Sequence, residues 1–427
     1  MSPVKEQIVA ENIFTEHLDN GMTIVAESMD WLESVAFSLL VPAGCSRDAH
    51  HLAGLANFSC EMVQRGCGSR DSRQFIEDLD NLGVERSANV STVHTSFGGA
   101  MVADKIYEAL AIYCDLIRRP HLPEDQFEDG RLVCLQEIQS AEDDLPQKVM
   151  QEVRRRQYGE PFGRPAHGRL DCVQAINGSD VQAFVTENYQ PQDCILSVAG
   201  KIDWPRLREH IQSLWGDWQP VPLAAIQEQT PLYGYRHFNH DSTQTHLGIS
   251  YSSVPYPDDD YYQARGAVGV LSDGMSSRLF TEVRENRGLC YTVFASCHSL
   301  RNRGCVVCYS GTTTDRAQET LDVMVAELKR LADGIEVGEL RRLKARIKSA
   351  LIMQQESSAS RSSSIAADWY FLQRVQTLDE ISQKIDVLSC ESINEYLRKN
   401  PPGDFTVVTL GEQPLEMPVG VSTENAR

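Results

Sequence analysis

The stretch Gly54-Leu55-Ala56-Asn57-Phe58-Ser59-Cys60-Glu61-Met62 holds an amide, a thiol and a carboxylate three and four residues apart. On a helix, side chains at those spacings share a face. The set is a poor metal site. An asparagine amide binds Zn²⁺ weakly, and the carboxylate of Glu61 offers only hard oxygen donors. A thiolate at Cys60 could bind zinc, but no general base stands beside it to activate water. The second chemical segment is Ser276 to Val293, with Arg284 and Tyr291 seven residues apart. A guanidinium presents fixed planar donors to a carbonyl, and a phenol can stabilise a developing oxyanion. The competing reading pairs Arg284 with Glu282 or Glu285 and packs Tyr291 on a strand.

Other titratable residues form weaker patterns. His94 reads as a partly exposed histidine on an edge strand. His237 and His240 have no carboxylate at helical spacing, and His50-His51 have the wrong spacing to share a helix face with Glu61. Cys305-Val306-Val307-Cys308 is formally C-x-x-C, but on a strand positions i and i+3 point to opposite faces. Twelve cysteines without framework spacing read as free thiols in a reducing compartment.

These residues need elements to hold them. The chain has 427 residues, 41% hydrophobic and 23% charged, enough for two or more domains. The net charge of −20 argues against nucleic-acid and anionic-membrane binding. The first twenty residues lack a secretory apolar core, and no apolar run is long enough to span a bilayer. The expectation is a cytoplasmic protein. Two strand-like stretches, Ser34–Val41 and Cys194–Gly200, recur 211 residues later as Thr245–Tyr251 and Phe405–Gly411. This predicts two α+β halves of like topology, residues 1–218 and 236–427, joined by a Pro-rich linker at 219–235.

Within the first half, Asn20-Gly21 signals a hairpin turn. A helix is expected from near Leu52, carrying Asn57, Cys60 and Glu61. Others are expected over Ser72–Leu82, over Ile106–Ile117, and from Pro123 through Ile138, the last carrying Glu137. In the second half, Asp315-x-x-Gln318 reads as a capping box. A helix rich in basic residues follows over Val337–Glu356, with Arg341, Arg342, Lys344, Arg346 and Lys348. Its basic face could attract acidic partners or simply be solvated. Ser357–Ser364 is either a flexible stretch or a polar helical turn, and the tail after Glu412 reads as disordered.

The frame Gly54–Met62 resembles Gly-Leu-Ala-His-x-x-Glu-His-Met of the pitrilysin and mitochondrial processing peptidase family. In that family two histidines and a distant glutamate hold Zn²⁺, and the glutamate between the histidines activates water. Here Asn57 and Glu61 stand at the histidine positions, Cys60 at the base position and Glu137 at the third-ligand position. The resemblance extends through Leu79–Gly83, the edge strand at Ser87–Thr92, and Tyr189-Gln190-Pro191. It is sharpest at Ser276–Val293, where Arg284 and Tyr291 match the family's arginine–tyrosine pair that reaches across to the zinc site. Leu271–Met275 is short where the mitochondrial α-subunit has a glycine-rich loop.

The resemblance implies two tandem α+β domains, each a mainly antiparallel sheet packed with helices. It also implies the zinc-lacking subunit of a heterodimeric peptidase. This chain would bind no cofactor or metal of its own. A zinc-motif homologue would supply Zn²⁺ and the base. Arg284, Tyr291 and an acidic chamber wall would meet the peptide substrate. Two alternatives follow from the same resemblance. One is a non-enzymatic scaffold, like the core subunits of the respiratory bc₁ complex. The other is a partner subunit in peptide trimming for cofactor maturation, as in the pyrroloquinoline quinone pathway.

Overall fold

The computed structural model describes residues 12–354, 356–418 and 421. They form two compact units, each an α+β body built on one sheet.

The first sheet holds β1 (Ile13–His17), β2 (Thr23–Ser28), β3 (Ser34–Val41), β4 (Glu85–Val90), β5 (Thr95–Val102) and β6 (Ile195–Gly200). Their spatial order is β1-β2-β6-β3-β5-β4. The expected turn at Asn20-Gly21 joins the antiparallel pair β1 and β2, with Gly21 at φ 90°. The second sheet holds β7 (Tyr235–Asn239), β8 (Gln244–Ser253), β9 (Cys290–Ser299), β10 (Gly304–Thr313) and β11 (Thr406–Gly411), ordered β7-β11-β8-β10-β9. Apart from the parallel pairs β2–β6 and β7–β11, every strand pairing is antiparallel. The repeat read from the sequence is visible in the ladders: β3 pairs antiparallel with β6, and β8 pairs antiparallel with β11.

The units do not follow chain order. The first comprises Met1–Gln136, Ala166–Ile226 and Ile352–Leu378; the second comprises Glu137–Pro165, Gln227–Leu351 and Asp379–Arg427. Each sheet is therefore covered by a helix from the other half of the sequence. The Leu145–Tyr158 helix places Val149, Val153 and Tyr158 against Val307, Val408 and Leu410 of the second sheet. Gly248 on β8 permits this approach, since a Cβ there would lie 2.5 Å from Val153. The Ser358–Leu372 helix places Ile365, Ala366 and Trp369 against Val25, Ile195 and Ala199 of the first sheet. Its Arg361 is fully buried and donates to Glu27 Oε2 on β2 at 2.5 Å. The serine-rich stretch is thus helical, because Ser357 caps it and one face is apolar.

Three other local readings change. No capping box forms at Asp315, because Thr314–Arg316 is a 3₁₀ turn and Gln318 bonds Asp322 and the Glu416 carbonyl instead. The Ser72–Asn81 helix is capped by Asp71, one residue before the expected Ser72. The tail expected to be disordered after Glu412 packs at first: Leu415 N–H donates to the Tyr235 hydroxyl and Glu416 N–H to Gln318. The rest of that tail, residues 419, 420 and 422–427, lies outside the described residues, as do residues 1–11 of the N-terminal segment. Among the described residues, no helix is long and apolar enough to cross a membrane.

Candidate functional site

The motif helix runs Leu55–Val63 and is fixed at its start. Gly54 precedes it at φ 105°, a left-handed conformation that favours glycine, and a Cβ there would lie 2.9 Å from the His167 carbonyl. The Asp48 carboxylate accepts from Gly54 N–H at 2.8 Å and from Ala56 N–H at 2.9 Å. That satisfies donors a helix start otherwise leaves open. Leu55, Ala56, Phe58, Cys60, Met62 and Val63 are buried, so the helix is held on most of its circumference.

This rigid frame presents groups that are already engaged. Asn57 Nδ2 lies 3.8 Å from the Cys134 sulfur on the Phe127–Asp143 helix. Cys60 is 5% exposed and sits beside the buried phenol of Tyr189, so the base position is withdrawn from solvent. Glu61 Oε1 accepts from Arg65 Nη2 at 2.8 Å and Nε at 3.1 Å, one turn along the same helix. Glu137 is exposed, and it begins the part of the Phe127–Asp143 helix that belongs to the second unit. Among the described residues, no group of three or more histidine, cysteine or carboxylate side chains could hold a metal ion. The donor chemistry agrees: an amide, a buried thiol and an arginine-paired carboxylate do not fit Zn²⁺.

The Arg284 segment is arranged differently. Phe280–Glu285 winds as a π-helix, in which Asn286 N–H donates to the Thr281 carbonyl at 2.8 Å. Such turns recur at functional sites. Glu282 turns away to Arg287, 2.6 Å distant. The Arg284 guanidinium lies 4.8 Å from the Phe280 ring centroid and 4.8 Å from that of Tyr291. Both rings lie within cation–π distance of the guanidinium, a contact that leaves its N–H groups as the means of meeting an acceptor. Among the described residues Arg284 makes no ion pair, so neither carboxylate considered from the sequence holds it. Tyr291 is 82% exposed. The β9–β10 register pairs Thr292 with Gly311 and Cys290 with Thr312, skipping Tyr291. This bulge turns the phenol out of the strand pattern toward Arg284.

The remaining candidates are placed plainly. His94 lies in the β4–β5 turn and not on a strand; it is 8% exposed and stacks edge-on against Tyr370. Burial lowers its pKa to about 4, with Arg47 adding to the shift. His237 Nδ1 meets Thr409 Oγ1 at 2.9 Å, an interaction within the sheet. His50 and His51 open a 3₁₀ turn before the motif helix. Cys305 and Cys308 pack into different cores on opposite faces of the second sheet. Sequence reasoning missed Asp48, Arg65 and Phe280. Arg65 could have been found from its i+4 spacing to Glu61, whereas Phe280 meets Arg284 through the π-helical turn, which regular helical spacing does not mark.

Known proteins match the chain over most of its length. Residues 23–167 match the profile described as insulinase (peptidase family M16), and residues 175–347 match the peptidase M16 inactive domain. An uncharacterized zinc protease of Rickettsia bellii is 26% identical over 95% of this chain and 99% of its own length. Another of Bacillus subtilis, YmxG, is 26% identical over 92% and 96%. Among solved structures, a peptidase M16 inactive domain from Pseudomonas fluorescens superposes with a TM-score of 0.85 at 19% identity, over 95% of this chain and 99% of that one. A chain of complex III from Candida albicans gives 0.80 at 17%, over 93% and 96%. At these identities the structural likeness concerns the fold alone. From its two matched regions and the α+β fold they share, the chain belongs to the M16 peptidase family.

Proposed function

We propose that this chain is the zinc-lacking subunit of a two-subunit zinc peptidase, contributing peptide contacts to a zinc-bearing partner. One observation carries the reading. The motif positions are engaged within the fold, while the half-buried Arg284 lies against the exposed Tyr291 and, among the described residues, has no carboxylate partner. A purely structural arginine on a chain of net charge −20 would be expected to find one. In this role the Arg284 guanidinium donates to a peptide carbonyl, and the Tyr291 hydroxyl donates to oxygen as negative charge develops on it. The partner supplies the Lewis acid and the base. No step of water activation is assigned to this chain.

The test is a fluorogenic-peptide assay of this chain alone, of a zinc-motif M16 homologue alone, and of the mixture. Activity is expected only in the mixture. Arg284→Ala and Tyr291→Phe should each lower its kcat/KM by roughly a hundredfold to a thousandfold, the range for a lost oxyanion donor. Chelator-sensitive activity from this chain alone would overturn the reading. A second reading, a non-enzymatic scaffold, is favoured by the likeness to a complex III chain. It predicts a stable complex whose properties do not change in the Arg284 and Tyr291 variants.

A further inference from the structure

Among the described residues, the outer strand β9 pairs only with β10. Its ten residues include no lysine, arginine, carboxylate or proline. Those are the residues that usually keep an outer strand from pairing with another chain. The other outer strands carry them: Glu16 on β1, Glu85 and Arg86 on β4, and Arg236 on β7. The segment Tyr291-Thr292-Val293-Phe294 is instead made of strand-forming types, and Tyr291, Thr292 and Phe294 are exposed.

The far end of the strand is engaged. Ala295 N–H donates to Ser272 Oγ at 2.8 Å, and Ser299 Oγ accepts from Tyr256 N–H at 2.7 Å. The first of these bonds also fixes which way the backbone faces. Ala295 N–H points away from β10, and in an antiparallel ladder the direction alternates with each residue. Val293, two residues earlier, therefore turns its N–H and C=O outward as well. Thr292 faces inward, its carbonyl accepting from Ser310 Oγ on β10 at 3.1 Å. Val293 thus offers a donor and an acceptor at the open edge, beside the bulged Tyr291 and Arg284.

We propose that the Tyr291–Phe294 edge of β9 binds an extended peptide as an added strand. The peptide main chain exchanges N–H···O=C bonds with Val293 and passes the Arg284 and Tyr291 side chains. The fitting ligand is a proline-free segment of β-branched or aromatic residues, since main-chain pairing supplies the contact and the flanking side chains are apolar or hydroxylic. This rests on the proposed function only in making that peptide the substrate; the pairing itself stands on the edge geometry.

The test is fluorescence anisotropy on the full chain, without a zinc partner, using a labelled nonapeptide of alternating threonine and valine with a lysine at each end. Val293→Pro removes the outward donor and spares the β10 ladder, because proline is tolerated where its nitrogen faces solvent. Binding to the native chain and about tenfold weaker binding to Val293→Pro are expected from the loss of one or two hydrogen bonds. The same peptide N-methylated at alternate amides should lose affinity for the unaltered chain, which needs no variant to fold. Equal binding of both peptides, unchanged binding by Val293→Pro, or no binding by the native chain would each overturn the proposal. Self-association abolished by Val293→Pro, with no peptide binding, would overturn it in favour of a second copy at this edge. Peptide pairing that is seen while the mixture with a zinc-motif homologue stays silent would leave this inference standing and remove the proposed function.

Discussion

At the scale of single residues, the two chemical segments differ in how much of each side chain is already used. Cys60 is buried beside the Tyr189 phenol, with Gln64 Nε2 4.0 Å from its sulfur, so the position of the family's base is withdrawn from solvent among neutral groups. Replacing it with the acid that the family motif has there would bury a carboxylate without a designed partner. Cys60→Glu is expected to destabilise the fold by about 2–4 kcal/mol in urea unfolding, and unchanged stability would show that the site opens to solvent. His94 gives a pH signature. Its folded pKa of about 4 lies below the unfolded value, so the unfolded chain binds the extra proton first. Its contribution is complete above the ordinary histidine range and is lost as pH falls from about 6.5 toward 4. His298, also lowered to about 4 by burial, acts in the same direction. His94→Phe, which keeps a ring against Tyr370, should flatten part of the acid-side fall in unfolding free energy. A slope unchanged from the native chain would place the loss elsewhere.

At the scale of elements, the motif helix persists although its metal chemistry is gone, because its position depends on groups outside the nine-residue frame. Asp48 holds Gly54 and Ala56 N–H, and no periodicity in the sequence marks an aspartate six residues upstream as a cap. Asp48→Ala should cost about 1–2 kcal/mol, read as a lower urea midpoint, and Asp48→Asn should recover part of it. No shift in the midpoint would mean that packing alone holds the helix start. This contrast explains what could be read beforehand. The Ser72, Ile106 and Phe127 helices and the strands recurring at 211 residues carry their own periodicity, and all were legible. The pairing of Arg284 with Tyr291 depends on a bulge, and the orientation of Phe280 depends on a π-helical turn. Both are departures from regular winding, which a regular pattern cannot encode. The capping box read at Asp315 failed for a related reason, since the 3₁₀ turn there moves the helix start past it.

At the scale of the whole molecule, the sequence repeat suggests two halves that could be cut apart at the Pro-rich linker, whereas the packing argues otherwise. The first sheet takes its cover from Ile365, Ala366 and Trp369, and the second takes Val149, Val153 and Tyr158, each set from the opposite half of the chain. Hydrophobic pattern shows that these helices are amphipathic, but not which sheet they cover, so this exchange was not legible. Arg361 makes it costly to undo. Fully buried and bonded to Glu27, it would leave that carboxylate unpaired within the first unit if its helix were removed, a loss of about 3–5 kcal/mol for a broken buried pair. Separately expressed fragments 1–226 and 227–427 should therefore each expose an apolar sheet face, aggregate or unfold at low denaturant, and bind a dye specific for exposed apolar surface. Co-expressed, they should recover a soluble complex with native-like unfolding, since each supplies the helix the other lacks. In that complex Arg361→Met would remove the charge together with its pairing, leaving only Glu27 to be resolvated, and should weaken fragment association measurably. Two fragments that fold cooperatively on their own, with midpoints near that of the intact chain, would show that the exchanged helices are dispensable to the sheets they cover.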